Sequence, residues 1–216
     1  MRKVAIALFI LVCTSQALAD WTQIRSTDFF LNPPPVAGSR AYREDFRVLH
    51  ELQDTRDPRD CRLAQLQRIP TFDVFYGATA GLFSKAELDS ARPVLSRVFK
   101  FSERAADYQK GKFGRPRPYS VDPTLHPCAH MPEGARAYPS SHAVLAVVGS
   151  CVLARAFPER ARAIETYGGH LADLRFIVGV HHPTDVVAGK DLAAQICQRV
   201  FAEPDFRREF EQITSR

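Results

Sequence analysis

The chain has 216 residues, a length that suits one domain with a full hydrophobic core. Its formal net charge of +5 is small and spread along the sequence, which gives little support for a nucleic-acid partner. No stretch after residue 19 approaches the roughly 18 uncharged residues that a membrane-spanning helix needs, so we expect no stable membrane anchor.

Residues 1–19 have the pattern of a secretory signal peptide. Arg2 and Lys3 form a basic start, an apolar run follows, and small residues provide a cleavage site. The apolar run is too short to span a membrane. We therefore expect a periplasmic or secreted protein whose single catalytic domain covers residues 20–216.

Four cysteines follow that segment, an even number that suits an oxidising compartment. Cys61 and Cys128 lie in turn-rich segments and are the first predicted pair. Cys151 and Cys197 fall in apolar helical patterns, where they can be plain core thiols. Three pairings are possible, so the connectivity stays open at this point.

Helical periodicity dominates the remaining sequence. Ser39 is a predicted N-cap, and the apolar residues after it recur at helical spacing. No alternating run is long enough to predict a strand. The expected fold class is therefore all-α, a single-domain helical bundle with catalytic residues on helix ends and connecting loops. The further helical patterns cover residues 60–69, 71–77, 85–109, 142–156, 159–178 and 183–201.

The first chemically informative stretch is a basic loop that ends a helical pattern. Lys110 is followed, after six residues, by Arg117, and Pro118 then holds Arg117 out of helical conformation. Alone, such a stretch is as well explained by a solvated loop or a proline-rich ligand. Lys112 and Arg115 are interpreted as solvated loop charges.

The second stretch opens the next apolar helix. Ser140 or Ser141 can cap this helix, whose first N–H groups and dipole favour an anion. His142 lies in the first turn, beside anything bound there. An ordinary serine cap with an incidental histidine explains this stretch equally well when it is seen alone.

The third stretch combines a cation, an imidazole and a carboxylate. Arg175 is a planar cation suited to phosphate, and His181 and Asp185 stand four residues apart, close enough to meet. A carboxylate on one ring nitrogen leaves the other free as a base or nucleophile. Pro183 predicts a helix start near His182, which is interpreted as a helix-cap or rim residue.

In this order and spacing, the three stretches resemble the signature of the type 2 phosphatidate phosphatase superfamily. That group includes bacterial class A non-specific acid phosphatases and vanadium haloperoxidases. The proline-rich segment at residues 32–38, followed by a helix, also resembles the exported class A acid phosphatases. The resemblance implies an acid phosphatase that hydrolyses small-molecule phosphate monoesters without a metal cofactor and is inhibited by vanadate.

The resemblance also implies a role for each matching residue. His181 would be the nucleophile that forms a phosphohistidine, and Asp185 would orient it. His142 would be the general acid for the leaving alcohol and then the base for water. Several fixed cations suit a phosphate dianion, since phosphoryl transfer is catalysed mostly by positioning and charge stabilisation. The phosphoryl oxygens would be bound by Lys110, Arg117, Arg175, Ser140 and the backbone N–H of Ser141.

Two positions depart from the family pattern. Ser141 stands where the family has glycine, and Leu174 stands where it has serine. The first change adds a side chain next to the phosphate, and the second removes a hydroxyl, so that other groups must orient Arg175. Asp173 is one candidate. Neither change removes a charged or nucleophilic group, so we expect activity to survive.

Several alternatives remain open. A vanadate-dependent haloperoxidase would use the same pocket, although the short chain argues against it. A lipid phosphate phosphatase fits the signature but lacks a predicted anchor. A non-catalytic phosphate-binding relative is suggested only by Ser141 and Leu174. A metal site built on His126, Cys128 and His130, with the pair at residues 181–182, matches no common zinc spacing. The physiological substrate is open, and so is the oligomeric state, a homo-oligomer being possible.

Overall fold

The computed structural model describes residues 24–77, 80–132 and 136–214. The predicted signal peptide lies outside these residues. Within them the chain forms helices and no strand, which confirms the all-α fold class. The same part of the chain holds no helix long and apolar enough to cross a membrane. The α-helices are α1 (Arg40–Thr55), α2 (Pro58–Leu66), α3 (Phe72–Tyr76), α4 (Lys85–Phe113), α5 (Pro118–Val121), α6 (Ser141–Ala156), α7 (Ala161–Ile177), α8 (Pro183–Ala202) and α9 (Pro204–Thr214).

Local capping explains where the main helices begin and end. Ser39 caps α1, accepting a hydrogen bond from the backbone N–H of Tyr42 at 3.2 Å. Helix α8 begins at Pro183, directly after His182, as the sequence predicts. Helix α4 is longer than predicted and ends where Gly114 adopts the left-handed conformation, with φ of 62°.

The C-terminal helix α9 was missed by the sequence analysis. The predicted pattern stopped at residue 201. Helix α8 ends at Ala202, and Pro204 then starts a new helix. Phe206 and Ile213 on α9 are buried in the main core. Helix α9 therefore covers apolar surface that would otherwise face solvent.

Helix α6 lies at the centre of the fold. It packs against α4, α7 and α8, and its apolar residues are buried on nearly every side. Val144, Leu145, Val148 and Val152 have no exposed surface. An apolar helix of this kind needs neighbours all round. Its surrounding helices therefore bring the start of α6, the end of α7 and the start of α8 to one region.

Close contact between α6 and α8 depends on Gly189. A Cβ atom at this position would lie 2.7 Å from the backbone carbonyl oxygen of Ser140 and 2.9 Å from the Cβ atom of Ala143. The backbone N–H of Ser140 also donates to the carbonyl oxygen of Asp185 at 2.9 Å. The two helix starts are therefore held in direct backbone contact.

Both pairs of cysteines are joined. Cys61 and Cys128, whose Cα atoms are 5.5 Å apart, form the disulfide that the sequence predicts. Cys151 on α6 and Cys197 on α8 are also paired, with Cα atoms 6.5 Å apart. Their interpretation as core thiols was wrong, because helical periodicity does not reveal which helix faces meet.

The close contact at Gly189 predicts a specific cost of adding one methyl group. Gly189→Ala should lower the free energy of unfolding by about 1–3 kcal/mol, because the clash is with backbone that cannot move aside. Gly169→Ala is the control: its Cβ meets nothing within 4 Å, and better helix propensity should raise stability by up to about 1 kcal/mol. Urea denaturation measures both. Equal stability of the two variants would contradict the close packing.

Candidate active site

The loop after α4 carries Arg117 into the protein interior. Arg117 precedes Pro118, has an extended backbone with ψ of 149°, and lies at the N-cap of α5. Its Nη1 donates to the carbonyl oxygen of Val180 at 2.7 Å, whereas its buried Nε has no partner. Burial lowers the pKa of Arg117 from its ordinary value.

Lys110 stands behind this loop, in the last turn of α4. Its Nζ donates to the carbonyl oxygens of Pro139, at 2.6 Å, and Arg136, at 3.0 Å. Burial and the neighbouring Arg117 lower the pKa of Lys110 to about 7. The lysine thus ties the end of α4 to the segment that leads into α6.

Arg175 is the least satisfied of these cations. It lies in the last turn of α7 with 5% of its surface exposed, and its Nε and Nη1 have no hydrogen-bond partner in the described part of the chain. Burial and Arg117 lower its pKa to about 10. Asp173, the predicted orienting carboxylate, instead pairs with Lys190 at 2.7 Å. That prediction was wrong, because the two residues project from different sides of α7.

Ser140 and Ser141 start α6 as predicted. Ser140 is the N-cap: its buried Oγ accepts from the backbone N–H of Ala143 at 3.4 Å. Ser141 is the first helical residue, a position whose backbone N–H has no partner inside the helix. That N–H can therefore donate to an anion.

His142 is oriented by the backbone of Gln67, just after α2. Its Nε2 lies 2.8 Å from the Gln67 carbonyl oxygen. Because a carbonyl only accepts hydrogen bonds, Nε2 carries a proton and Nδ1 is the nitrogen left for chemistry. Burial and the nearby Arg175 lower the pKa of His142 well below its ordinary value.

His181 and Asp185 meet across the start of α8. The His181 Nδ1 lies 3.4 Å from Asp185 Oδ2, a long contact that leaves Nε2 available. His182, which is buried and not on the rim, makes a shorter contact of 3.0 Å to the same oxygen. Burial and Arg117 lower the pKa of His181. Although burial alone would raise it, hydrogen bonds from His181 and His182 hold the pKa of Asp185 below its ordinary value.

A buried ionic network supports Asp185 from behind. Arg115 donates to Asp185 Oδ1 at 2.7 Å and to Asp45 Oδ2 at 2.8 Å. Asp45 on α1 also accepts from the backbone N–H of Thr184 at 3.0 Å and from its hydroxyl at 2.6 Å. Arg115 is therefore a buried structural group, and its interpretation as a solvated loop charge was wrong.

The sequence analysis missed Asp45 altogether. Asp45 is buried with Leu49 on one face of an amphipathic helix, a position that periodicity assigns to an apolar residue. The one signal for Arg115 was its place before Pro116, the feature that also marks Arg117. The ion pair between Asp45 and Arg115 is visible only in the tertiary structure.

One pocket of about 370 Å³ brings four of the predicted residues together: Arg117, His142, Arg175 and His181. Its other lining residues are Ala64, Arg68, Ile69, His130 and Pro132. The predicted residues Lys110, Ser140, Ser141 and Asp185 adjoin these four but do not line the pocket. A larger cavity of about 480 Å³, between residues 24–26 and the outer face of α4, contains none of the predicted residues.

The arrangement can bind an anion and transfer protons. Two arginines provide buried, fixed donors, and two imidazoles each make one hydrogen bond to the protein, which leaves the second ring nitrogen for chemistry. Cys128, one of the residues considered as a metal ligand, is held in a disulfide. The chemistry of the pocket is therefore that of cations and histidines acting on a negatively charged group.

The comparisons with known proteins point to the same region of the chain. The PAP2 superfamily matches residues 101–208, a range that contains all eight predicted site residues. A non-specific acid phosphatase of Salmonella typhi is 32% identical over 76 residues. That alignment covers 35% of this chain and 30% of the Salmonella protein, so the chain matches less than a third of that relative's length.

The network behind Asp185 predicts a large stability effect at Asp45. Asp45→Asn should lower the free energy of unfolding by about 3 kcal/mol or more, since the buried Arg115 loses one carboxylate partner. Asp54→Asn, at an exposed position on the same helix, should stay within about 0.5 kcal/mol of the unmodified protein. Urea denaturation compares them. A variant at Asp45 as stable as the control at Asp54 would show that the network contributes little.

Proposed function

The chain belongs to the PAP2 superfamily, and on this premise we propose that it is an exported acid phosphatase. It hydrolyses phosphate monoesters through a phosphohistidine intermediate, without a metal cofactor. The observation that carries the proposal is the buried, unpaired guanidinium of Arg175 beside Arg117 in the pocket that contains both histidines. Export is supported by the two disulfides, which suit an oxidising compartment.

An anionic substrate explains why two guanidinium groups with unpaired N–H donors are buried together. A buried cation without hydrogen-bond partners is costly to the folded protein. A phosphate monoester dianion offers three acceptor oxygens and two negative charges, which match the donors that Arg175 and Arg117 leave free. Lys110 and the first N–H groups of α6 add positive potential from behind.

In the first step, His181 attacks phosphorus through Nε2. An N–P bond forms while the bond from phosphorus to the ester oxygen breaks. Asp185 accepts from Nδ1 of His181 and stabilises the positive charge that develops on the ring. His142 gives a proton from Nδ1 to the departing oxygen, so that a neutral alcohol leaves.

The second step returns the enzyme to its starting state. His142, now neutral, takes a proton from water as the water oxygen attacks phosphorus. The N–P bond breaks, its electron pair returns to Nε2 of His181, and inorganic phosphate is released. The proton on His142 is then ready for the next substrate, so the cycle balances.

The shifted pKa values favour activity in acid. His181 stays neutral, and therefore nucleophilic, at pH values where an ordinary histidine would be protonated. A bound dianion would add negative charge beside His142 and raise its pKa again, which favours the protonated general acid in the substrate complex. Lys110 is a cation only below its pKa of about 7.

The departures from the family pattern are compatible with catalysis. Leu174 has no exposed surface and packs in the main core, so it does not enter the pocket. Ser141 takes a regular helical position, where a side chain is tolerated. Each alternative differs from the proposal in one assay. A non-catalytic relative would not hydrolyse p-nitrophenyl phosphate, a vanadate-dependent haloperoxidase would oxidise bromide with peroxide and vanadate, and a lipid phosphatase would hydrolyse a lipid phosphate.

The pKa shifts predict the pH dependence of kcat/KM. With p-nitrophenyl phosphate the maximum should lie below pH 7, because Lys110 loses its charge, and with it affinity for the dianion, as the pH rises through about 7. Lys110→Arg keeps the charge and should move the alkaline limb to higher pH. A maximum well above neutrality in the unmodified protein would show that the roles are misassigned.

The two histidines should differ in burst kinetics. With p-nitrophenyl phosphate, His142→Ala should release a burst of nitrophenolate near one per active site, because this leaving group needs no proton. Slow turnover should follow, since the second step lacks its base and phosphohistidine accumulates. His181→Ala should show no burst. Stopped-flow absorbance measures both, with and without EDTA.

Three outcomes of that experiment would contradict the proposal. A burst from His181→Ala would place the nucleophile elsewhere. Acid-labile phosphate trapped on another residue would do the same. Loss of all activity in EDTA, restored by zinc or magnesium, would show that a metal takes part.

A further inference from the structure

The pocket has an outer half that the phosphate chemistry does not use. Arg117, His142, Arg175 and His181 form its inner half. The outer half is lined by Ala64, Arg68 and Ile69, at the end of α2 and just after it, and by His130 and Pro132 on the opposite loop. None of these outer residues belongs to the three sequence stretches that define the inner half.

The charged groups of this outer half are all basic. Arg68 and His130 are exposed, and neither side chain makes an ion pair or hydrogen bond within the described ranges. Several exposed arginines elsewhere do have carboxylate partners, such as Arg47 with Glu44 and Arg59 with Asp57. No aspartate or glutamate is among the described residues that line the pocket. Arg68 and His130 are therefore free to bind an anion.

The two walls that carry these residues are fixed to each other. The Cys61–Cys128 disulfide joins α2 to the opposite loop, and the Gln65 side chain donates to the carbonyl oxygen of Cys128 at 3.2 Å. Beneath the surface, Ala64 and Ala129 pack in one small apolar cluster. Ala64 lies one turn before Arg68, and Ala129 directly precedes His130. The packing of Ala64 against Ala129 therefore holds Arg68 and His130 at the same pocket.

The leaving group of the substrate lies on this same side. In the proposed reaction His142 protonates the departing oxygen, and its Nε2 is bonded to the carbonyl oxygen of Gln67. Arg68 is the next residue along the chain. The pocket volume of about 370 Å³ also falls within the range of roughly 300–1,000 Å³ that is usual for small-molecule sites. The pocket has room for a leaving group next to Arg68.

We propose that Arg68 and His130 form a subsite for a second anionic group, carried by the leaving alcohol of the substrate. The preferred substrates are then small phosphomonoesters with a carboxylate or a second phosphate on the alcohol. This proposal rests on the proposed phosphatase function and specifies its substrate class. Binding at the subsite adds affinity for the leaving group and leaves the transfer chemistry on His181 unchanged.

Two substrates that differ in one group test the subsite. In 3-phosphoglycerate a carboxylate stands where glycerol 3-phosphate has a hydroxymethyl group. The measured quantity is kcat/KM for 3-phosphoglycerate divided by kcat/KM for glycerol 3-phosphate, both from phosphate release. This ratio should fall roughly fivefold in Arg68→Gln, because the variant loses one exposed ion pair with the carboxylate. The value for glycerol 3-phosphate should stay within about twofold. Added salt should reduce the ratio in the unmodified protein and not in the variant.

Matched variants complete the experiment. His130→Gln should lower the ratio in the same direction, and Arg62→Gln, on the exposed face of α2 outside the pocket, should leave it unchanged. A ratio that Arg68→Gln does not alter, or equal losses on both substrates, would overturn the subsite while the phosphatase function stands. If the unmodified protein hydrolyses neither substrate nor p-nitrophenyl phosphate, the function fails and the subsite falls with it.

Discussion

The fold concentrates like charges in a largely buried pocket. Arg175 and Arg117 meet in one pocket, each lowers the pKa of groups around it, and Arg175 keeps two buried nitrogens unpaired. Such an arrangement costs stability unless an anion completes it. The surrounding structure offsets that cost: α6 supplies an apolar centre, and the ionic network from Asp45 through Arg115 holds Asp185 behind His181.

Residues whose role is local could be predicted from the sequence. Ser39 and Pro183 mark helix starts because capping and the fixed φ of proline act within one turn. Arg117 could be placed on a stiff loop because Pro118 follows it. The spacing of His181 and Asp185 fixed their contact, since four residues across a helix start bring side chains together.

Residues whose role depends on distant parts of the chain could not be predicted. Asp45 and Arg115 are 70 residues apart and become partners only when α1 packs beside the start of α8. Cys151 and Cys197 pair because α6 and α8 face each other, and Asp173 pairs with Lys190 on α8 and not with Arg175. The resemblance to the superfamily implied the chemical roles of the site residues. That Arg175 is buried without hydrogen-bond partners for its Nε and Nη1 is a consequence of how the helices pack.

The stability of Arg175→Met, with and without inorganic phosphate, tests the central claim most directly. Removing a buried, unpaired cation should leave the phosphate-free protein at least as stable as the unmodified one, with a gain of about 1–4 kcal/mol possible. Phosphate at a hundredfold excess over its Kd for the unmodified protein should stabilise that protein by about 2.7 kcal/mol, and the same concentration should stabilise the variant much less, because Arg117 remains but Arg175 is lost. A variant that is less stable without phosphate, yet stabilised by it as much as the unmodified protein, would contradict the account.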